Sequence, residues 1–272
     1  MKKVVVCSDQ HLGYTNSQAD EFRSFLDYVA KRNDIGALVV LGDLVDMWRR
    51  DVSGLFLEYS DVADRLSTLR RSGISVYIVA GNHDYHLLRL QDPGYHFEFH
   101  KDLSLNSSKE GLNYIFKHGW EFDLAQQPPV MEALCHNLSD DAGNARSRVY
   151  NFLMILKERL SDLFDFHGGS DEYIRHLMEP AETRLKPYLT DVEGKACRSL
   201  NDNEILIFGH THRPFVSDDK RVVNTGSWVS EPQTNYKFNT FVELDGDQVV
   251  LFRFVGGNTA EDITVENTIP CP

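Results

Sequence analysis

Ile74 to Asp84 reads ISVYIVAGNHD, a run of β-branched and aromatic residues that ends in a glycine followed at once by Asn82, His83 and Asp84. The apolar part predicts a short buried strand, and Gly81 predicts a sharp backbone turn at its end. Three polar side chains at the tip of a buried strand are costly in solvation unless something binds there. The same arrangement recurs three times. Val4-Val5-Val6-Cys7 runs into Ser8-Asp9-Gln10-His11, the stretch 37–41 into Gly42-Asp43-Leu44-Val45-Asp46, and the stretch 205–208 into Gly209-His210-Thr211-His212. Four apolar strands that deliver Asp, Asn and His at their carboxyl ends predict one shared site.

Between these strands the pattern changes period. Phe22, Phe25, Leu26 and Val29 keep helical spacing and predict a helix over 17–31; a second helical pattern covers 55–69, closed by Arg70-Arg71-Ser72-Gly73. Strand, helix, strand, helix, strand is the rhythm of a largely parallel sheet, in which ligands sit at the carboxyl ends of the strands. Short strands are expected at 95–100, 103–105 and 112–117, the last ending in His118-Gly119-Trp120. The strand pattern then disappears. A helical insertion is expected over about 120–200, part of one domain spanning 1–272, and its apolar stripe suits either packing on the body or a lid over substrate. Strands return at 221–223, 240–244 and 249–255, with Asp245-Gly246 marking a hairpin, and the last dozen residues are expected to lie on the surface or fray.

With 272 residues, 42% hydrophobic and 25% charged, the chain has the composition of a globular domain with a substantial core. No run is long enough to span a bilayer, and Met1-Lys2-Lys3-Val4 leads straight into a strand, so no signal peptide is expected. The cysteines at 7, 135, 197 and 271 show no paired spacing, which predicts neither a zinc ribbon nor a disulfide framework and points to a reducing, cytoplasmic setting. A formal net charge of −13 disfavours bulk nucleic-acid binding. Arg49 and Arg50 suit either a local basic groove or a solvated helix start.

Asp9 with His11, and His210 with His212, each place two ligand-type side chains two residues apart, a spacing that in extended backbone turns both to one side. Imidazole nitrogens with carboxylate and amide oxygens, and no thiolate, suit Mn²⁺, Fe or Zn²⁺. Seven such donors are too many for one tetrahedral ion and fit a two-metal centre. The remaining histidines, at 86, 96, 100, 136, 167 and 176, have no partner at ligand spacing, although His86 lies near His83 in sequence. Trp48 and Trp228 suit either stacking on a base or sugar or packing in the core, and core packing is expected for both.

In their order, SDQH, GDLVD, GNHD, HGW and GHTH resemble the motifs of the calcineurin-like metallophosphoesterases. The resemblance implies a four-layer α/β/β/α sandwich with two divalent ions, Mn²⁺ first and Fe, Zn²⁺, Mg²⁺, Co²⁺ or Ni²⁺ as alternatives. It assigns Asp9, His11, Asp43 and His212 to one ion and Asp43, Asn82, His118 and His210 to the other, with Asp43 bridging. Hydroxide between the ions would attack phosphorus while Asn82 offsets charge on its oxygens. His83, its pKa raised by Asp46, would protonate the leaving oxygen. Asp84 suits a loop cap or a catalytic role. SDQHLG, GDLVDMW, GHTHRP and Asn224-Thr225-Gly226-Ser227-Trp228 are similar to the UDP-2,3-diacylglucosamine hydrolase branch, which implies a nucleotide-sugar pyrophosphate substrate and lipid or peripheral membrane contact through the insertion. Two residues depart from that branch: His83 stands where it has arginine, and Asp46 where it has glutamate. The competing readings are a nuclease of the same superfamily and a non-catalytic metal-binding scaffold.

Overall fold

The computed structural model describes residues 2–90, 97–123, 191–231 and 234–271. The predicted alternation opens the chain: β1 (Lys3–Cys7), α1 (Ala19–Ala30), β2 (Ile35–Leu41), α2 (Val52–Glu58), α3 (Ser60–Arg71) and β3 (Ser75–Val79). A short 3₁₀ turn, Tyr85–Leu90, leads to β4 (Glu98–His100), β5 (Leu103–Asn106), β6 (Asn113–Phe116) and α4 (Trp120–Asp123). After a helical run at 191–198 come β7 (Glu204–Phe208), β8 (Phe215–Ser217), β9 (Val222–Asn224), β10 (Thr240–Asp245), β11 (Gln248–Gly256), β12 (Thr259–Asp262) and β13 (Thr268–Ile269).

Two sheets form. One has the order β12-β11-β10-β1-β2-β3-β4, the other β13-β8-β9-β7-β6-β5. β1 to β4 are parallel neighbours, and so are β6, β7 and β9. Side-chain alternation along β1 and β2 divides their residues between two cores. Val6, Val39 and Leu41 face Phe116, Ile207 and Val223 between the sheets. Val5, Cys7, Leu38 and Val40 turn the other way and pack under Phe22, Phe25, Leu26 and Val29 of α1 and Leu66 of α3. On the far side, Leu206, Phe208 and Val222 meet Phe122, Val192 and Ala196 of the second helical layer. The expected α/β/β/α sandwich is present. Each fully buried aliphatic or aromatic side chain in these layers contributes about 1.5–3 kcal/mol.

The expectation of one helix at 55–69 needs correction, and of the two alternatives for the C-terminus the surface position holds and fraying does not. The pattern at 55–69 is two helices, because Tyr59 leaves helical backbone (φ −116°, ψ 21°) and lets Leu55 and the stripe of Val62, Leu66 and Leu69 bury at different angles. The C-terminus does not fray: β12 extends the first sheet and β13 pairs with β8 of the second. It is also cross-linked, since Cys197 and Cys271 form a disulfide with Cα atoms 6.1 Å apart and a sequence separation of 74. No local spacing could announce a pair that only the packing of the tail brings together. Cysteine usage therefore no longer argues for a reducing compartment, since disulfides persist in oxidising ones. Cys7 is free and buried.

Most of the expected insertion, with His136, His167, His176 and Cys135, lies outside the described residues, as does His96. Its two ends, α4 and the run at 191–198, form part of the outer helical layer. No helix among the described residues is long and apolar enough to cross a membrane.

Candidate metal centre

Each parallel strand stops where its motif begins, and the loops are stitched to one another by backbone hydrogen bonds. Asp9 N donates to Gly42 O at 3.0 Å, His11 N to Asp43 O at 2.8 Å and Gly209 N to His118 O at 2.9 Å. Asp9, His11, Asp43, His210 and His212 all have positive φ, at 57, 45, 52, 66 and 58°. For a non-glycine residue such backbone costs about 1–3 kcal/mol. This corrects the expectation of extended backbone: the paired side chains share a side because each residue turns left-handed, not because a strand alternates.

The motif glycines are required mainly by crowding. A Cβ on Gly81 would collide with Asp43 Oδ1, one on Gly42 with the His118 ring, and one on Gly209 with Asp9 Oδ2 and Ser8 Oγ. Gly42 also needs its φ of +87°, whereas Gly81, expected to turn the chain, is not in that region. Its role is to let Asp43 approach.

The donor atoms converge. His212 Nε2 is 3.2 Å from His11 Nε2 and 3.3 Å from Asp9 Oδ1. Asp43 Oδ2 is 3.5 Å from His11 Nε2 and 3.3 Å from His118 Nε2. Ligand atoms about 2.1 Å from one ion, at 90–110° to each other, stand about 3.0–3.4 Å apart. Asp9 Oδ1 and His118 Nε2 are buried and make no hydrogen bond. Two buried polar atoms 3.9 Å apart, each about 3.3 Å from a further ligand-type atom yet without a well-formed hydrogen bond, fit a cation among them. The residues Asp9, His11 and His212 form one cluster able to hold an ion and Asp9, Asp43 and His118 another; His11, Asp46 and His83 form a third. The His210 ring lies 5.3 Å from that of His118, and Asn82 and His210 line a cavity of about 290 Å³ over the cluster. All nine predicted site residues are thus in one place.

The orienting groups were less legible. His118 Nδ1 is 3.0 Å from Leu41 O, His11 Nδ1 is 3.3 Å from Asp46 Oδ2, and His212 Nδ1 is 2.7 Å from Glu231 Oε1. Each ring is anchored through Nδ1 and turns Nε2 to the cluster, the usual way a protein fixes a ligating imidazole. Glu231 was not foreseen, because it reaches His212 from a separate loop. Asp46 does more than predicted: besides His11 it holds His83 Nδ1 at 3.0 Å and accepts from Arg49. Trp48 is buried as expected and also stacks on His83, with ring centroids 4.0 Å apart and 23° between planes. Trp228 does pack in the core, against Phe22 and Phe25. Asp84 is a loop cap, accepting from Leu44 N and Gly81 N at 2.7 Å each. His86 pairs with Arg89, and Arg50 with Glu58.

Charge follows the geometry. Burial works against protonating His118 and His212, but the carboxylates beside them prevail: Asp43 and Asp9 raise His118 to about 10, and Asp9 and Glu231 raise His212 to about 9. Burial also opposes ionisation of Asp46, yet His83 and His11 hold it well below its ordinary value. His83 departs from expectation. Burial outweighs Asp46 and Asp43 and lowers its pKa.

A family model for calcineurin-like phosphoesterases matches residues 2–214. A UDP-2,3-diacylglucosamine hydrolase of Yersinia enterocolitica is 26% identical over 234 residues, spanning 80% of this chain and 85% of the relative. One of Shewanella piezotolerans is 26% identical over 243 residues, spanning 84% and 91%. Among solved structures, the phosphoesterase Yfce of E. coli aligns with a TM-score of 0.46 at 18% identity, over 96% of this chain and 97% of that one. Because the family match runs from β1 through the GHTH turn and takes in every motif around the cavity, the chain belongs to the calcineurin-like phosphoesterase family, hydrolases of phosphoester bonds.

Proposed function

We propose that the chain is a dinuclear metal-dependent hydrolase of a phosphodiester or pyrophosphate bond, acting on a nucleotide sugar of the UDP-diacylglucosamine type. The observation that carries the reading is the convergence of Asp9 Oδ1, Asp43 Oδ2 and the Nε2 atoms of His11, His118 and His212 within ligand spacing. Asp9, His11, Asp43 and His212 would hold one divalent ion, and Asp43, Asn82, His118 and His210 the other. Oxygen and imidazole donors suit Mn²⁺. When bound, the ions supply Lewis acidity for the attacking water and for the phosphoryl oxygens.

The chain's own residues do the rest. Asp46 and Trp48 fix the plane of His83, and its backbone N–H donates to Asp43 Oδ1 at 2.8 Å. Nδ1 being committed to Asp46, Nε2 serves the cavity that His83 lines. A lowered pKa leaves His83 neutral at rest; a phosphate anion entering the cavity raises its proton affinity, so that Nε2 takes a proton from solvent or from the protonated substrate. The imidazolium then gives that proton to the leaving oxygen and returns to neutral imidazole. The UDP-diacylglucosamine class rests on the named relatives alone. One domain spanning 1–272, with the insertion included, remains part of the same proposal.

Metal binding should displace protons, because His118 and His212 are raised to about 10 and 9 without metal and must be neutral to ligate. Calorimetry of Mn²⁺ binding at pH 7.5 in buffers of different ionisation enthalpy is expected to show net proton release of about two or more per chain, since, against burial, the carboxylates beside His11 also raise that ligand above its ordinary value. Folded values above the unfolded one of about 6.5 stabilise the metal-free protein below that pH, and the stabilisation is lost as pH rises through 9 to 10. Metal uptake without proton release would contradict the assignment of these two ligands.

The function is tested by reconstituting the metal-stripped chain with Mn²⁺. The panel is bis-p-nitrophenyl phosphate, an aryl monoester, UDP-diacylglucosamine, its unacylated parent, a cyclic nucleotide and single-stranded DNA. Efficient turnover of the acylated nucleotide sugar supports the full reading. Cleavage of the artificial diester without that sugar keeps the chemistry and removes the substrate. Preference for DNA replaces the reading with a nuclease, and no cleavage with any divalent ion with a scaffold.

A further inference from the structure

Arg49 is the only arginine or lysine among the described residues lining the cavity. Its guanidinium lies 4.5 Å over the Tyr14 ring, itself part of the lining, and Nη1 donates to Asp46. The Arg49 backbone N–H also donates to Asp46 Oδ1, at 3.2 Å. The side chain is thus held at two points while 41% of its surface remains exposed. A guanidinium carries five donors in a planar fork, more than one carboxylate contact uses, and its geometry matches phosphate oxygens. Holding it on an aromatic face reduces the entropy lost when an anion docks.

The charges around the cavity give this cation a task. Asp9, Asp43, Asp46 and Glu231 are acidic, so two divalent ions would offset the site's own carboxylates and leave little charge for a second anionic group on the substrate. We propose that Arg49, seated on Tyr14 and Asp46, is a specificity-determining residue that binds an anionic group adjoining the scissile phosphorus, such as the second phosphate of a pyrophosphate-linked nucleotide. This inference rests on reading the cavity as a phosphate site. It goes beyond the basic groove or helix start considered for Arg49 and Arg50, and it separates the two residues: Arg50 is paired with Glu58 at 2.6 Å and is not part of the described lining.

The test compares UDP with UMP, which differ by one phosphate, binding by calorimetry to the Mn²⁺-loaded full chain. The unsubstituted protein is expected to bind UDP about 10- to 100-fold more tightly than UMP, the range of a charge-assisted hydrogen bond. In Arg49→Ala that gap closes, in Arg49→Lys part of it remains, and in Arg50→Ala it is preserved. A gap that survives in Arg49→Ala, no gap in the unsubstituted protein, or equal weakening of both nucleotides would each overturn the proposal. Equal weakening would mean that Arg49 acts only through Asp46. Hydrolysis of bis-p-nitrophenyl phosphate by the unsubstituted protein reports separately on the enzyme reading: a chain that shows the Arg49-dependent gap but cleaves nothing retains this assignment and loses that one.

Discussion

Asp43→Ala is expected to hold at most one divalent ion per chain where the proposed centre of the unsubstituted protein would hold two, and to lose the proposed phosphodiester hydrolysis by about 10³-fold or more. Oδ2 of Asp43 stands 3.5 Å from His11 Nε2 on one side and 3.3 Å from His118 Nε2 on the other, closer to both than Asp9 Oδ1, which is 3.8 and 3.9 Å from the same atoms. Its second oxygen accepts from the His83 backbone at 2.8 Å, and the loss therefore also frees the GNHD turn. Because Asp43 has a φ of 52°, alanine adds backbone cost to the missing ligand. Asp43→Asn separates the two effects, since asparagine tolerates left-handed backbone while losing the charge. Metal content by mass spectrometry, alongside thermal unfolding, checks the outcome. Two ions retained in either folded variant would remove Asp43 from the bridging position.

His83→Ala carries the second large effect, and it depends on the substrate. A leaving group that departs as a poor alkoxide needs a proton in the transition state, and loss of a positioned general acid costs about 10²–10⁴-fold in kcat. A p-nitrophenolate leaves without one, so kcat on bis-p-nitrophenyl phosphate should fall less than about tenfold. The site supports this role through geometry: Asp46 at 3.0 Å from Nδ1 and Trp48 stacked at 4.0 Å leave the imidazole one orientation. Equal losses on both leaving groups would show that His83 acts through binding or through the backbone of its turn.

The parts of this protein legible in its sequence are those set by local periodicity. Phe22, Phe25, Leu26 and Val29 of α1 are buried as their spacing required, and the alternation along β1 sends Val5 and Val6 to different cores. Four of the motifs were legible because ligand-type residues at the ends of apolar strands are costly in isolation, and the fifth, His118-Gly119-Trp120, joined them through the resemblance to the family. The turn between β10 and β11 followed the Asp-Gly signal, with Gly246 at a φ of 64°.

Sequence periodicity by itself determined the alternation of strands and helices in a largely parallel sheet and the ligand-type residues at four strand ends, since both depend on short-range pattern. The four-layer α/β/β/α class was what the resemblance to the calcineurin-like metallophosphoesterases implied. Tertiary structure alone decided how those side chains are held. Glu231 behind His212, Trp48 on His83, Asp46 serving two histidines at once and the Cys197–Cys271 bond all join residues whose separation in the chain carries no period. The lowered pKa of His83 belongs to the same group, because desolvation depends on everything packed around a side chain and not on its neighbours in sequence.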